Sequence, residues 1–226
     1  MTSKAARIRA LITAITAHLE RRRAGSEGAE AVLARLAETD LSPQAFTNQP
    51  PRSSRHDATL TQAIEGVTAP ELADMKAALI AAKDDLVWAE DEIKYYAADA
   101  DLGEGYRRCN LHTLLIGPGA CGFEHADFTL GLFMLGPRTL YRDHAHPAPE
   151  TYINLSPTTG WRFGGGPWED RPAGSILYNP PHAVHATRVY DQPFLSVFSW
   201  IRDIDQPCQL IAKDDWPAIE AALAQL

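Results

Sequence analysis

The chain has 226 residues, of which 45% are hydrophobic, enough to bury a full core as one domain or as one domain with a helical extension. Its formal net charge is −8 at pH 7, so nucleic acid and anionic membrane surfaces are not expected partners, whereas a cationic small molecule is compatible with the charge. No apolar run approaches the roughly 20 residues that a membrane span requires.

The first part of the chain has a helical pattern. Ser42-Pro43 and Thr68-Ala69-Pro70-Glu71 are typical of helix starts, because proline fits the first turn and the Thr and Glu of a capping box can satisfy each other's backbone amides. The segment 48–56, rich in Pro, Ser and Arg, predicts a loop. Between residues 4 and 22, apolar side chains recur at helical spacing: Ile8, Leu11, Ile12, Ile15 and Leu19.

The stretch 69–100 predicts a further, long helix. Its apolar side chains form one stripe, which we expect to pack across the following domain or against a second subunit. If the stripe is exposed, a homodimer is favoured. The stripe consists of Leu72, Met75, Leu79, Leu86, Ile93 and Tyr96.

After Gly103 the pattern changes to short apolar runs separated by Gly and Pro. Strands at this spacing, without intervening helices, predict a small antiparallel β-barrel or jelly roll. We therefore expect a helical N-terminal region over 1–103 and a mostly β domain over 104–226, which ends in a short helix within 212–226. The strand-length runs are 111–116, 128–135, 151–155, 175–178 and 194–200.

The segment 141–152 concentrates potential metal ligands. It contains His144, His146 and Glu150, and His185 follows in a second segment. Residues two positions apart in a strand share a face, so the two imidazoles can enter one cavity. The chain can then bend and bring the Glu150 carboxylate to the same cavity. Imidazole and carboxylate without thiolate suit one divalent transition metal (iron, zinc, manganese, nickel or cobalt) held with open positions for chemistry.

The second segment has a turn glycine, Gly174, a short apolar strand, a rigid turn at Pro180 and then His185. Together the two segments resemble the two signature motifs of the cupin superfamily, G-x5-H-x-H-x3,4-E-x6-G and G-x5-P-x-G-x2-H-x3-N. The departures touch turns and not ligands: Gly136 lies eight residues before His144 instead of six, and His182 replaces the glycine of the second motif.

A finer pattern, Tyr-x-x-His-x-His-x3-Glu-x-Tyr followed by Asn-Pro-x4-His, is similar to the bacterial cupin-type dimethylsulfoniopropionate lyases, most of all to their longer L type. That resemblance implies β-elimination of a small zwitterionic sulfonium substrate to dimethyl sulfide and acrylate. It also implies that the metal acts as a Lewis acid on the substrate carboxylate. A metal or nearby cation can lower the usual tyrosine pKa of about 10, so Tyr152 is the first candidate for the base. Tyr141 is the second candidate, or a group that orients the carboxylate.

The sulfonium end calls for aromatic ring faces, and Trp161 and Tyr178 are our candidates. His182, three residues before His185, is a candidate substrate contact, a group supporting the ligands, or an exposed residue. Two other classes stay open: a different metal-dependent cupin enzyme, such as a dioxygenase or isomerase, which would not need Tyr152, and a non-catalytic cupin that binds a small ligand.

The chain has three cysteines, Cys109, Cys121 and Cys208, and they form no C-x-x-C pattern. An odd number of thiols favours a reducing compartment over a disulfide framework. We therefore expect a cytoplasmic protein.

Overall fold

A computed structural model describes residues 2–91 and 95–226 of the chain. Its helices are α1 (Lys4–Arg21), α2 (Glu27–Glu38), α3 (Asp57–Glu65), α4 (Ala73–Ala82), α5 (Glu104–Arg108) and α6 (Trp216–Leu223), with short 3-10 turns at Pro43–Ala45, Pro70–Leu72 and Lys83–Asp85. Its strands are β1 (Asn110–Ile116), β2 (Thr129–Leu135), β3 (Thr139–Ala145), β4 (Glu150–Asn154), β5 (Thr158–Phe163), β6 (Glu169–Pro172), β7 (Ile176–Asn179), β8 (His185–Val189), β9 (Phe194–Trp200) and β10 (Gln209–Leu210).

The ten strands form two five-stranded sheets. The first sheet has the order β1-β2-β9-β4-β7 and the second has the order β10-β3-β8-β5-β6. Each pair of neighbouring strands is antiparallel. The predicted antiparallel barrel or jelly roll with N-terminal helices is therefore confirmed. The strands β3 and β8, which carry His144 and His185, lie in the second sheet, whereas β4, which carries Glu150, lies in the first.

The helices pack onto the first sheet through one continuous apolar core. Leu11 of α1 and Leu79 of α4 belong to the same buried cluster as Leu111 of β1 and Leu130 of β2. The N-terminal cap of α1 is Ser3, whose hydroxyl accepts from the Ala6 amide. One core thus joins the helical part and the first sheet. The division of the chain into 1–103 and 104–226 stays a prediction.

Among the described residues, the predicted long helix over 69–100 is wrong beyond residue 85. The helix α4 ends at Ala82, and after the 3-10 turn the chain becomes extended: Ala89 forms an antiparallel bridge with His112 of β1, and Val87 bridges Arg52. Backbone pairing with a strand edge replaced the helical hydrogen bonds that the apolar spacing favours. The short helix α5 also lies beyond the predicted helical region, and Ile93 of the stripe falls outside the described residues.

The described side chains of the apolar stripe are buried within the chain. Leu72, Met75, Leu79 and Leu86 are at most 2% exposed, and among the described residues only Ile80 and Leu226 are exposed large hydrophobic side chains. The stripe thus gives no argument for a homodimer, which stays a prediction. In the described part of the chain, no helix combines the length and the apolarity needed to cross a membrane.

Candidate active site

A β-bulge in β3 builds one wall of the site. Tyr141 pairs with Thr187 and His144 pairs with His185, so three steps along β3 match two steps along β8. Residues three apart in a regular strand point to opposite faces, but the extra residue of a bulge turns both to the same face. The ring centroids of Tyr141 and His144 accordingly lie only 4.2 Å apart.

Three histidines converge beside this bulge. His144 in β3 lies opposite His185 in β8, and His146 follows the end of β3. One ring nitrogen of each histidine lies within 4.8 Å of the corresponding atoms of the other two, and all three side chains are buried. This is the spacing at which three imidazoles can share one metal ion.

The histidine tautomers suit metal binding. The Nδ1 atoms of His144, His146 and His185 lie 2.8, 2.8 and 2.9 Å from the carbonyl oxygens of Arg142, Ala148 and Ala183. A carbonyl only accepts, so each Nδ1 carries the proton and each Nε2 presents its lone pair to the centre. The Nε2 atom of His185 is buried and lacks a hydrogen-bond partner with suitable geometry, as expected for a metal ligand.

Glu150 adds a carboxylate from the opposite sheet. Its Oε2 atom lies 3.3 Å from Nε2 of His146 and 3.1 Å from Nε2 of His185. The carboxylate also accepts hydrogen bonds from the Trp200 indole at 2.8 Å and from the Asn179 amide at 3.3 Å. Both donors occupy positions directly opposite Glu150 on the neighbouring strands β9 and β7.

The electrostatics favour neutral imidazole at His144 and an ionised carboxylate at Glu150. Burial, and then the like charges of His185 and His146, hold the pKa of His144 well below its usual value. Burial alone would raise the pKa of Glu150, but the adjacent rings of His146 and His185, when protonated, hold it well below its usual range. Neutral imidazoles with one carboxylate are the donor set of divalent first-row metals, so these residues fit such an ion.

The two tyrosines adjoin this donor set. Tyr152 lies two residues after Glu150 on the same strand, and burial, followed by the negative charge of Glu150, raises the pKa of its phenol well above the usual value. The hydroxyl of Tyr141 shares a 2.7 Å hydrogen bond with the hydroxyl of Tyr96. Tyr106 stacks on the ring of Tyr141 with centroids 4.9 Å apart.

Glu150, Tyr141 and Tyr152 line one cavity. The volume that the centre of a water molecule can occupy in this cavity is about 60 Å³. That volume exceeds the minimum for a single water several times over and is suited to a small ligand. The rest of its wall is largely aromatic: Tyr95, Tyr96, Tyr106, Phe133, Phe198 and Trp200.

The three predicted substrate contacts do not line this cavity. Trp161 is fully buried behind Tyr152, with ring centroids 5.1 Å apart. Tyr178 is on the face of β7 opposite to Asn179, where it lies against Gly28 of α2. The side chain of His182 is exposed, and its backbone amide donates to the His146 carbonyl oxygen at 2.8 Å.

Sequence reasoning missed several residues that surround the donor set. Tyr95, Tyr96 and Tyr106 belong to segments that we expected to be helical or at a domain boundary, so their pattern gave no sign of the cavity. The sequence could have identified Asn179 as a site residue, because it directly precedes the proline of the second motif. Trp200 required the register of β4 against β9, which the sequence does not reveal.

Comparison with known proteins agrees with this geometry. The model of the dimethylsulfoniopropionate lyase family matches residues 24–196. Dimethylsulfoniopropionate lyase DddQ of Ruegeria pomeroyi is 33% identical over 92 residues, which are 40% of this chain and 45% of that protein. The chain therefore aligns with less than half the length of this curated relative.

Two solved structures share the fold. A chain from the crystal structures of the lyases RdDddP and RnDddQII has a TM-score of 0.68 at 19% identity and covers 93% of this chain and 100% of its own length. The crystal structure of DddQ from Ruegeria pomeroyi DSS-3 has a TM-score of 0.62 at 24% identity, with coverage of 89% and 95%. These relatives give no specific support to the predicted L type, which stays a prediction. Since the family model spans well over half of its residues, this chain belongs to the dimethylsulfoniopropionate lyase family.

Proposed function

We propose that this chain is a metal-dependent lyase that cleaves dimethylsulfoniopropionate into dimethyl sulfide and acrylate by base-initiated β-elimination. The observation that carries the proposal is the buried set of three histidines and Glu150, next to which Tyr152 faces the same aromatic cavity. Family membership supports the same reaction.

In this proposal His144, His146 and His185 bind one divalent transition metal through Nε2, and Glu150 binds it through its carboxylate. The three backbone carbonyls that accept from Nδ1 support this assignment, because they fix the ring orientations. A bound divalent ion would supply a Lewis acid for the substrate carboxylate. It would also offset the Glu150 charge, which after burial is the next cause of the raised pKa of Tyr152.

Tyr152 is the proposed base. Its phenolate oxygen takes the proton from the carbon next to the substrate carboxylate, and the electrons of that C–H bond form the C=C bond of acrylate. The bond between the β-carbon and sulfur breaks at the same time, and dimethyl sulfide leaves with its electron pair. Trp161, packed behind the Tyr152 ring, is proposed to hold that ring in place.

Tyr141 is proposed to orient the substrate carboxylate. Its hydroxyl is already directed by Tyr96 at 2.7 Å, and its ring is held by Tyr106. His182 is proposed to act through its backbone amide, which fixes the His146 carbonyl, and Tyr178 has no role in this scheme.

The proposed partner is therefore a small zwitterionic sulfonium compound. We also propose a cytoplasmic location, which the three cysteines support because all three are free and buried.

The substitution Tyr152→Phe tests the reaction type. Removal of a general base typically costs about 10²–10⁴-fold in rate. We expect release of dimethyl sulfide to fall by this factor while the metal content, measured by elemental analysis, stays equal to that of the wild type. Thr151→Ser, a conservative change at a neighbouring residue on the opposite strand face, is the matched control and should retain activity. Full activity of Tyr152→Phe would exclude Tyr152 as the base.

A further inference from the structure

Two charged side chains occupy the β-bulge that places Tyr141 and His144 in the site. Arg142 and Asp143 lie between them in β3, and both are buried, with exposed fractions of 9% and 0%. A buried charge is stable only where it is paired, and removal of its partner is costly. The groups that pair with these two residues therefore help to hold the bulge in its shape.

The partners of Asp143 come from outside the site. The Arg162 guanidinium of β5 donates to both carboxylate oxygens, to one of them at 3.0 Å. The Trp216 indole, at the start of α6, donates to Oδ2 at 2.8 Å. The carbonyl oxygen of Asp143 accepts from the Ile211 amide at 2.8 Å. The segment 209–223, which contains β10 and α6, thus holds both the backbone and the side chain of Asp143.

Arg142 is held by the same segment. Its Nε and Nη2 atoms donate to the two carboxylate oxygens of Glu220 in α6 at 2.9 and 3.1 Å, and its guanidinium lies 4.8 Å from the centre of the Trp216 ring. Such a two-pronged pair fixes direction as well as distance. The backbone of Arg142 in turn reaches the site, because its carbonyl oxygen lies 2.8 Å from Nδ1 of His144. A hydrogen bond at this nitrogen orients the ring of a metal-binding histidine.

We propose that Trp216 and Glu220 are positioning residues, which hold Arg142 and Asp143 so that the bulge presents the His144 ring to the metal. Neither is among the described residues that line the cavity, so both act through β3. The inference rests on the proposed function for the assignment of His144 as a metal ligand. The affinity for the metal thus depends on α6, which makes no contact with the metal in this assignment.

The three histidines differ in their dependence on the bulge. The Nδ1 atom of His146 is paired with the carbonyl oxygen of Ala148. That of His185 is paired with the carbonyl oxygen of Ala183, so both of these partners lie outside the bulge. Loss of support from α6 should therefore disturb the His144 ring most, whereas general loosening of the protein would disturb all three rings. This difference separates a positioning role from a merely structural one.

The variants Trp216→Phe and Glu220→Ala test the proposal. Trp216→Phe loses the hydrogen bond to Asp143 but keeps a ring beside Arg142, and Glu220→Ala loses both bonds to Arg142. The Kd for Zn(II) is measured by competition with a chelator. Loss of a group that touches a metal ligand costs roughly 10–100-fold in affinity, so for these more distant residues we expect a rise of about three- to tenfold. Glu220→Gln, which keeps one acceptor oxygen, should raise the Kd less.

Nuclear magnetic resonance of protein with 15N-labelled histidines supplies a second readout, with and without Zn(II). We expect the Nδ1–H signal of His144 to shift, or its proton to exchange faster with water, while the signals of His146 and His185 change much less. Trp88→Phe is the matched control, because Trp88 is also a buried indole donor but bonds the Lys83 carbonyl oxygen. It should alter neither the Kd nor the His144 signal. Urea unfolding curves verify that each variant is folded.

The inference is overturned if folded Trp216→Phe and Glu220→Ala both stay within about twofold of the wild-type Kd, or if both keep the wild-type His144 signal. Equal disturbance of all three histidine signals, or an equal rise of the Kd in Trp88→Phe, would also overturn it. These outcomes are separate from the fate of the lyase. Cleavage of dimethylsulfoniopropionate with a Kd independent of both residues would contradict only the inference. A Kd that depends on them in a protein that does not cleave this substrate would contradict only the proposed function.

Discussion

Trp200→Phe tests whether the residues around Glu150 set the affinity for the metal. The Trp200 indole donates to Oε1 of Glu150 at 2.8 Å, a shorter bond than the 3.3 Å bond from Asn179. A hydrogen bond to a charged group contributes about 1.5–3 kcal/mol. Since 1.4 kcal/mol corresponds to a factor of ten, we expect the metal Kd to rise about ten- to a hundredfold.

Phenylalanine keeps most of the packing at this position. The Trp200 ring lies 4.8 Å from the His146 ring and 5.2 Å from the Tyr95 ring, and a phenyl ring preserves much of both contacts. The matched control is Trp88→Phe, since Trp88 is also buried but donates to the Lys83 carbonyl and does not line the cavity. Competition between the protein and a chelator for Co(II) or Zn(II) gives the Kd. A folded Trp200→Phe protein within about twofold of the wild-type Kd would refute the reasoning, as would an equal loss in Trp88→Phe.

Three shorter predictions follow from other contacts. Tyr96→Phe removes the 2.7 Å hydrogen bond to Tyr141. Because such a bond contributes about 0.5–1.5 kcal/mol, kcat/KM should fall about two- to tenfold with the metal content unchanged. An unaltered kcat/KM would exclude a positioning role for Tyr96. Leu79→Ala should lower the free energy of unfolding, measured by urea titration, by about 2–5 kcal/mol, because Leu79 is 0% exposed. Ile80→Ala should lower it much less, because the Ile80 side chain is 50% exposed. Equal losses would contradict the described core. Metal at about 100 times its Kd should raise the Tm of the wild type by about 5–10 °C in thermal-shift assays but not that of His185→Ala; an equal rise in the variant would place the metal elsewhere.

The proximity of the candidate ligands was partly readable from the sequence, because His144 and His146 follow strand periodicity. His144 and His146 are two residues apart, and the turn at Pro180 returns the chain so that His185 lies opposite His144. The opposed sheets then bring Glu150 to the same point. Backbone alternation is a local property and covers His144 and His146, whereas His185 and Glu150 were added because the two segments resemble the two cupin motifs.

The remaining cavity wall could not be predicted, because it depends on pairing between distant segments. The apolar spacing over 69–100 favours a helix, but Ala89 pairs with His112 instead, and Tyr95 and Tyr96 line the cavity. Tyr178 was expected at the cavity, yet it is on the face of β7 opposite to Asn179 and therefore lies against α2. In both segments, tertiary contacts outweigh a local pattern.

The central claim is that the buried histidines and Glu150 support metal-dependent elimination. Its most direct test measures headspace dimethyl sulfide and dissolved acrylate from metal-depleted protein supplied with dimethylsulfoniopropionate, with and without Fe(II), Mn(II), Co(II), Ni(II) or Zn(II). We predict equimolar release of the two products on addition of at least one metal, and its loss in His146→Ala. No release with any of these metals, from folded protein shown to bind them, would contradict the claim.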